Sequence, residues 1–114
     1  MLDNEINIAI EAAKASGKLL LENRNDLNKE TSSNSKDVKL EADVSSENLI
    51  KEIITSSSDY PILAEESGKS HEDLGELFWV IDPLDGTANY NRVIPIYCFS
   101  IGLIHKMKPI AGLI

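Results

Sequence analysis

The chain has 114 residues, 42% of them hydrophobic, and a formal net charge of -8. That apolar content supports one packed domain and excludes global disorder, while the acidic balance disfavours nucleic-acid binding through bulk charge, because a phosphate backbone wants a basic face. A single cysteine, Cys98, excludes an internal disulfide and fits a reducing, cytoplasmic setting. No membrane partner is expected either, since no stretch approaches the roughly 20 apolar residues of a membrane span. Met1-Leu2-Asp3-Asn4-Glu5 lacks the basic start and apolar run of a signal peptide.

The spacing predicts an amphipathic helix from Leu2 to about Asn23, with Ile6, Ala9, Ile10, Ala13, Gly17 and Leu20 on its apolar face and Asp3 as N-cap. Arg24 to Lys36 is polar and reads as a loop, either a linker or a flap over a site. A second helix is expected over about Val44–Ser56, capped by Asp43, with Val44, Leu49, Ile50, Ile53 and Ile54 facing the core. Pro61 to Ala64 reads as a buried strand ending in Glu65 and Glu66, followed by a polar connection from Lys69 to Glu76. Phe78 to Ile81 is the next strand, and a turn or single helical turn follows Gly86. Tyr97 to His105 reads as a strand, Lys106-Met107-Lys108 as a turn, and Pro109 to Ile114 as a partner strand. The chain stops inside that apolar pattern, so residues 1–114 are expected to be the N-terminal part of a longer domain. No internal repeat is present.

Asp82-Pro83-Leu84-Asp85-Gly86-Thr87 carries the chemistry. Two carboxylates three positions apart, at the expected end of a strand, can bracket hard cations, which take oxygen ligands and keep waters. The Leu84 carbonyl can add an oxygen. Pro83 fixes φ and removes a donor, and Gly86 lets backbone approach a ligand closely. The Gly86 and Thr87 amides, at the start of a helical turn, can receive a phosphate oxygen. Glu65 or Glu66 completes the metal set if the two strands are neighbours. A plainer alternative stands beside this one. An Asp-Gly pair after a strand is most often only a turn, Glu65-Glu66-Ser67 reads equally as a solvated loop, and Asp43 as a mere helix cap.

Four segments in order resemble the inositol monophosphatase family. Trp79-Val80-Ile81-Asp82-Pro83-Leu84-Asp85-Gly86-Thr87, with Asn89-Tyr90 after it, resembles the family's first signature. Ala64-Glu65-Glu66-Ser67 is similar to its G-E-E-S segment, and Lys39-Leu40-Glu41-Ala42-Asp43 to its T-x-A-D segment. Ile94 to Gly102 resembles its F-P-x-x-x-x-S-I-G strand. The resemblance implies an α+β fold, a layered α/β sandwich of the inositol monophosphatase and sugar phosphatase type. Only its N-terminal portion is expected here, a helix pair packed on an antiparallel sheet. It also implies Mg²⁺-dependent hydrolysis of a small phosphate monoester by in-line attack of metal-activated water.

By the same resemblance, Glu65, Asp82 and the Leu84 carbonyl would hold one Mg²⁺. Asp82 and Asp85 would share a second with an aspartate of the family's later W-D-x-A-A-G signature, which this sequence lacks. Thr87 would hydrogen-bond the attacking water, with Asp43 accepting from its hydroxyl. Gly86 and Thr87, with Asp85, would bind the substrate, and Glu66 would support the site from behind. The substrate would be a small phosphorylated metabolite, inositol monophosphate by default, with a 3′-phosphoadenosine-type bisphosphate nucleotide or fructose 1,6-bisphosphate as alternatives. The full-length protein would be a homodimer. Two readings of another kind remain: a catalytically inactive fragment that binds Mg²⁺ weakly, and a structural acidic module without chemistry. Departures from the family are Leu40 and Ala88 in place of usual threonines, and Tyr90 in place of phenylalanine.

Other reactive residues read as structural. His71 and His105 have no clustered partner. Cys98 reads as a small apolar residue in a strand. Trp79 and Tyr90 read as core, though Tyr90 is near enough to the turn to line a site. Lys36, just before Asp43, reads as solvated.

Overall fold

A computed structural model describes residues 2–33 and 38–114 of the chain, so Lys36 lies outside the described residues. In chain order the elements are α1 (Asp3–Glu22), α2 (Arg24–Leu27), β1 (Glu30–Ser33), β2 (Val38–Leu40), α3 (Glu41–Ser57), β3 (Ile62–Ala64) and β4 (Gly68–Lys69), then β5 (Leu77–Asp85), α4 (Thr87–Asn91), β6 (Cys98–His105) and β7 (Lys108–Leu113).

The residues of α1 that are buried are Ile8, Ala9, Ala12, Ser16 and Leu20. They repeat at four-residue steps, so the packed face is rotated from the one the sequence predicted, and Ile6 is exposed. Ser16 hid this stripe. Its polarity is accommodated by a 2.7 Å hydrogen bond to Ser46 Oγ of α3, and small side chains at Ala12 and Ser16 let the two helices approach closely. Asp3 is the first residue of α1, not its cap. Leu2 precedes it, with no side-chain cap, and Asp3 and Glu5 place negative charge in the first turn, where the helix dipole favours it.

α3 also begins earlier than expected. Leu40 is its N-cap residue, and Asp43, in the third position, reaches back to accept the Leu40 N–H at 2.8 Å. The assignment of Asp43 as the N-cap is therefore corrected. Its carboxylate does satisfy an orphan helix-start donor, but from inside the first turn. Val44 turns outward and is exposed.

The larger sheet has the order β4-β3-β5-β6-β7. It is mixed rather than antiparallel: β3 runs parallel to β5, and every other pair in it is antiparallel. The long α3 route before β3 is absent between β3 and β5, and the two-residue β4 turns the chain back along the edge instead. The polar connection after Gly68 therefore starts as an edge strand. The predicted loop from Arg24 to Lys36 also contains structure. It holds the single turn of α2 and strand β1, which pairs antiparallel with β2 as a separate two-stranded sheet. Lys106 and Met107, with φ of 50° and 65°, form the tight β6–β7 turn, the left-handed geometry that suits the twist of a hairpin.

The main core lies where α1 and α3 cover the sheet, with Ile8, Ile50, Ile54, Trp79, Ile101 and Leu103 among its members. A second cluster of Leu20, Leu40, Ala42, Leu84 and Tyr90 fills the other end. Trp79 and Tyr90 are both core, as the sequence indicated. The Tyr90 hydroxyl donates to Leu20 O at 2.6 Å and so faces inward rather than lining a site. No helix among the described residues is long and apolar enough to cross a membrane.

Candidate active site

The strand β5 passes through the Asp-x-x-Asp motif instead of stopping before it. Asp82 pairs with Ser100 and Asp85 with Cys98, so three steps on β5 match two on β6, and the register shifts between them. Such a bulge bends the strand and re-aims side chains. Pro83 suits this stretch because a bulge relaxes the demand for a ladder donor. Pro83 and Leu84 are buried in succession, between a half-buried Asp82 and an exposed Asp85.

The parallel pairing of β3 with β5 sets Ala64 beside Ile81, and the Glu65 N–H donates to Ile81 O at 3.1 Å. Glu65 is thereby delivered next to Asp82, and the two line one open groove. Hydrogen bonding to the neighbouring Asp82 carboxyl, then burial, then the nearby charges of Asp82, Glu66 and Asp43, push the Glu65 carboxyl up to about 8. Two neighbouring carboxyls form an all-oxygen donor pair suited to a hard cation. Asp85 stands apart from this pair, its Oδ2 3.9 Å from Cys98 Sγ. Among the described residues no three His, Cys, Asp or Glu side chains gather closely enough to hold a metal ion. The Asp82 carboxylate also accepts the Leu84 N–H at 3.3 Å.

Thr87 opens α4, and its hydroxyl lies 3.0 Å from Asp43 Oδ1 and 3.2 Å from Leu84 O. Asp43 is almost wholly buried. Burial raises its carboxyl above the usual range, against hydrogen bonds from Leu40 and Thr87 that lower it, and the Glu66 charge adds to the rise. Gly86, with φ of 88°, makes the turn between β5 and α4, and a Cβ there would sit 3.0 Å from Ile96 O. Glycine is required on both counts.

Two open grooves flank these groups. One is lined by Leu63, Glu65, Val80, Asp82 and Ser100, the other by Asp85, Gly86, Asn89, Ile96, Tyr97 and Cys98. A further cavity between α1 and the sheet, bordered by Ala9, Trp79, Leu103 and Leu113, is an apolar packing gap away from the carboxylates.

Sequence reading missed Glu47. Its buried carboxylate accepts the N–H groups of Glu66 and Ser67 at 2.8 and 3.0 Å, which fixes the loop that carries Glu65. It also missed Ser46, whose hydroxyl donates to Pro83 O at 2.8 Å behind the bulge. A signal existed: Asp43, Ser46, Glu47, Ile50 and Ile54 fall on one helical stripe, so the apolar face of α3 continues into polar residues beneath the motif. His71 is exposed and bonds its neighbour Ser70 through Nδ1, and His105 is exposed at a strand end. Cys98 is half-buried, with burial and the charges of Asp85 and Asp82 raising its thiol.

A family-wide sequence profile, described as "Inositol monophosphatase family", matches residues 1–114. The chain is 38% identical to a protein of Aquifex aeolicus named fructose-1,6-bisphosphatase/inositol-1-monophosphatase, over 97% of this chain and 43% of that protein. It is 39% identical to a Nus factor SuhB of Xylella fastidiosa, over 91% of this chain and 38% of that one. Its fold superposes on an inositol monophosphatase structure from Anabaena with a TM-score of 0.77 and 38% identity, covering 97% of this chain and 39% of that one. The chain thus spans about two fifths of the length of these relatives. The order of its motifs, the fold that carries them and these likenesses agree: the chain belongs to the inositol monophosphatase family.

Proposed function

We propose that the chain carries part of the active site of a Mg²⁺-dependent phosphatase acting on a small phosphate monoester of the inositol monophosphate type. The observation that supports this most directly is the β3–β5 pairing that sets Glu65 beside Asp82 in one groove, together with the Thr87–Asp43 hydrogen bond. Glu65, Asp82 and the Leu84 carbonyl would hold one divalent cation, and Asp82 with Asp85 part of a second. Cations held there supply a lowered pKa for water and neutralise charge on the leaving oxygen. The buried Asp43 takes the Thr87 hydroxyl proton as its acceptor, which leaves the Thr87 oxygen free to receive a hydrogen bond from the attacking water. The Gly86 and Thr87 amides orient the phosphoryl group. Leu84, held by its N–H on Asp82, keeps its carbonyl at the bulge.

A sugar bisphosphate is the second reading, favoured by the double name of the Aquifex relative. Cytoplasmic location and a homodimer belong to the same proposal for a protein of the relatives' full length.

The test is a thermal melt of the 114-residue chain with and without Mg²⁺ and inorganic phosphate, since a ligand that binds only the folded state raises the midpoint. The expected result is a Mg²⁺-dependent rise that Asp82→Asn abolishes. A wild-type chain indifferent to Mg²⁺ would leave the acidic groups structural and sink the proposal. Phosphate release from inositol 1-phosphate and fructose 1,6-bisphosphate, measured in a protein of the relatives' length, separates the two substrate readings.

A further inference from the structure

Arg24 opens α2, in the segment whose polar composition reads as a loop. Its Nη2 donates to Tyr90 O at 3.0 Å and lies 3.3 Å from Ile94 O and 3.5 Å from Asn89 O. Its guanidinium carbon sits 4.7 Å from the centre of the Tyr90 ring and 5.2 Å from that of Tyr97. The two rings meet edge to face, 4.9 Å apart at 75°. Asn28, from the end of α2, adds a 3.0 Å hydrogen bond to Asn91 O. The carbonyls so collected belong to the last turn of α4 and the chain just beyond it. Asn89 O and Tyr90 O already accept the Ile94 and Val93 N–H groups at 2.8 and 3.2 Å, and Arg24 adds a cationic donor where a helix end carries partial negative charge.

α4 has only five residues, too few to stand on its own hydrogen bonds. The chain leaves it through Val93, a β-branched residue at φ 61°, a conformation that costs free energy rather than supplying it. The buried Tyr90, bonded through its hydroxyl to Leu20 O, anchors that end from one side, and Arg24 ties it to α2 from the other, at the carbonyls of Asn89, Tyr90 and Ile94 and the rings of Tyr90 and Tyr97. The near end of the same five residues is Thr87, whose hydroxyl meets Asp43.

We propose that Arg24 is the positioning residue of the Gly86–Thr87 turn. It clamps the far end of α4 from α2 so that Thr87 stays in register with Asp43; the proposal rests on the reading of Thr87 given above. Only a planar guanidinium can lie against two rings and donate to several carbonyls at once, so lysine is a partial substitute at best.

Amide hydrogen exchange of the 114-residue chain as wild type, R24A and R24K decides it. In R24A the Tyr90 and Arg92 amides, which donate to Gly86 O and Ala88 O, are expected to exchange about tenfold faster or more, while amides of α1 and β5 keep their protection. R24K should fall between. Unchanged α4 amides in R24A, or an equal acceleration of every amide, would overturn the proposal, the second by reducing Arg24 to general stability. If R24A does not fold, R24K is judged by the same criterion. Titration with Mg²⁺ and inorganic phosphate, followed at the Gly86 and Thr87 amide resonances, adds the functional arm. A response in wild type that R24A weakens supports the clamp, and an equal response in both variants overturns its bearing on the site. No response in wild type defeats the phosphatase reading, and the exchange result still decides Arg24.

Discussion

The two hydrophobic clusters of this chain are held together in different ways. The larger one, between the helix pair and the sheet, is packed by repetition. Ile50 and Ile54 recur along α3, Ile8 and Ala12 along α1, and Trp79 and Ile81 alternate along β5. The smaller one, under the motif, has five buried members, one each from α1, β2, α3, β5 and α4. It is closed by single polar bonds: Tyr90 to Leu20 O, Asp43 to the Leu40 N–H, and Arg24 to the end of α4. The first tolerates averaging over many contacts. The second depends on each bond, which is the usual condition of a region that must present polar groups in fixed positions.

Four substitutions probe that contrast, ordered by expected effect. Trp79→Ala empties the centre of the large cluster and also removes the indole N–H bond to Ser58 Oγ. It should cost about 3–5 kcal/mol, read from urea unfolding, and a loss below 1 kcal/mol would mean the cluster collapses around the gap. Glu47→Ala leaves the Glu66 and Ser67 N–H groups without their acceptors. It should cost about 1–3 kcal/mol and also weaken the Mg²⁺ response of the melt, whereas Trp79→Ala should leave the site's response intact in whatever fraction stays folded.

Tyr90→Phe deletes only the hydroxyl that donates to Leu20 O. A loss of about 1 kcal/mol is expected. A gain would show that the phenol is carried at a cost. Val93→Gly removes a β-branched side chain from a left-handed position and should raise stability by about 1 kcal/mol or less, partly offset by unfolded-state entropy. A fall in the melting midpoint would mean that Val93, though exposed, packs in a way its strain conceals.

The same contrast governs what could be read from the sequence. Strands Ile62–Ala64, Leu77–Asp85 and Cys98–His105 announce themselves by apolar runs, the second only as far as Ile81, and Ile50 and Ile54 by helical spacing. The face of α1 was displaced because Ser16 interrupts the stripe that it in fact belongs to, its hydroxyl being spent on Ser46. The turn of α2 and the strand β1 left no trace, since a short polar element has no period to detect. They exist because Arg24 and Asn28 reach residues more than 60 positions away and because the Glu41 N–H donates to Lys29 O. Asp43 and Thr87 were matched through family resemblance. No spacing rule joins residues 44 positions apart. Glu47 and Ser46 were within reach, had the polar extension of the Ile50–Ile54 stripe been followed to its end.

The register shift in β5 has one more meaning. In an unbroken strand the side of the sheet a residue faces is a matter of odd and even: two residues three apart stand on opposite sides. Asp82 and Asp85 are three apart, yet their partners on β6, Ser100 and Cys98, are two apart. One residue on β5 is swallowed without a partner, and the count becomes even. An odd spacing that would have sent one carboxylate toward the core and the other to solvent instead brings both to the same side. The motif therefore encodes a miscount as much as a pair of acids, and the proline within it marks where the miscount is made.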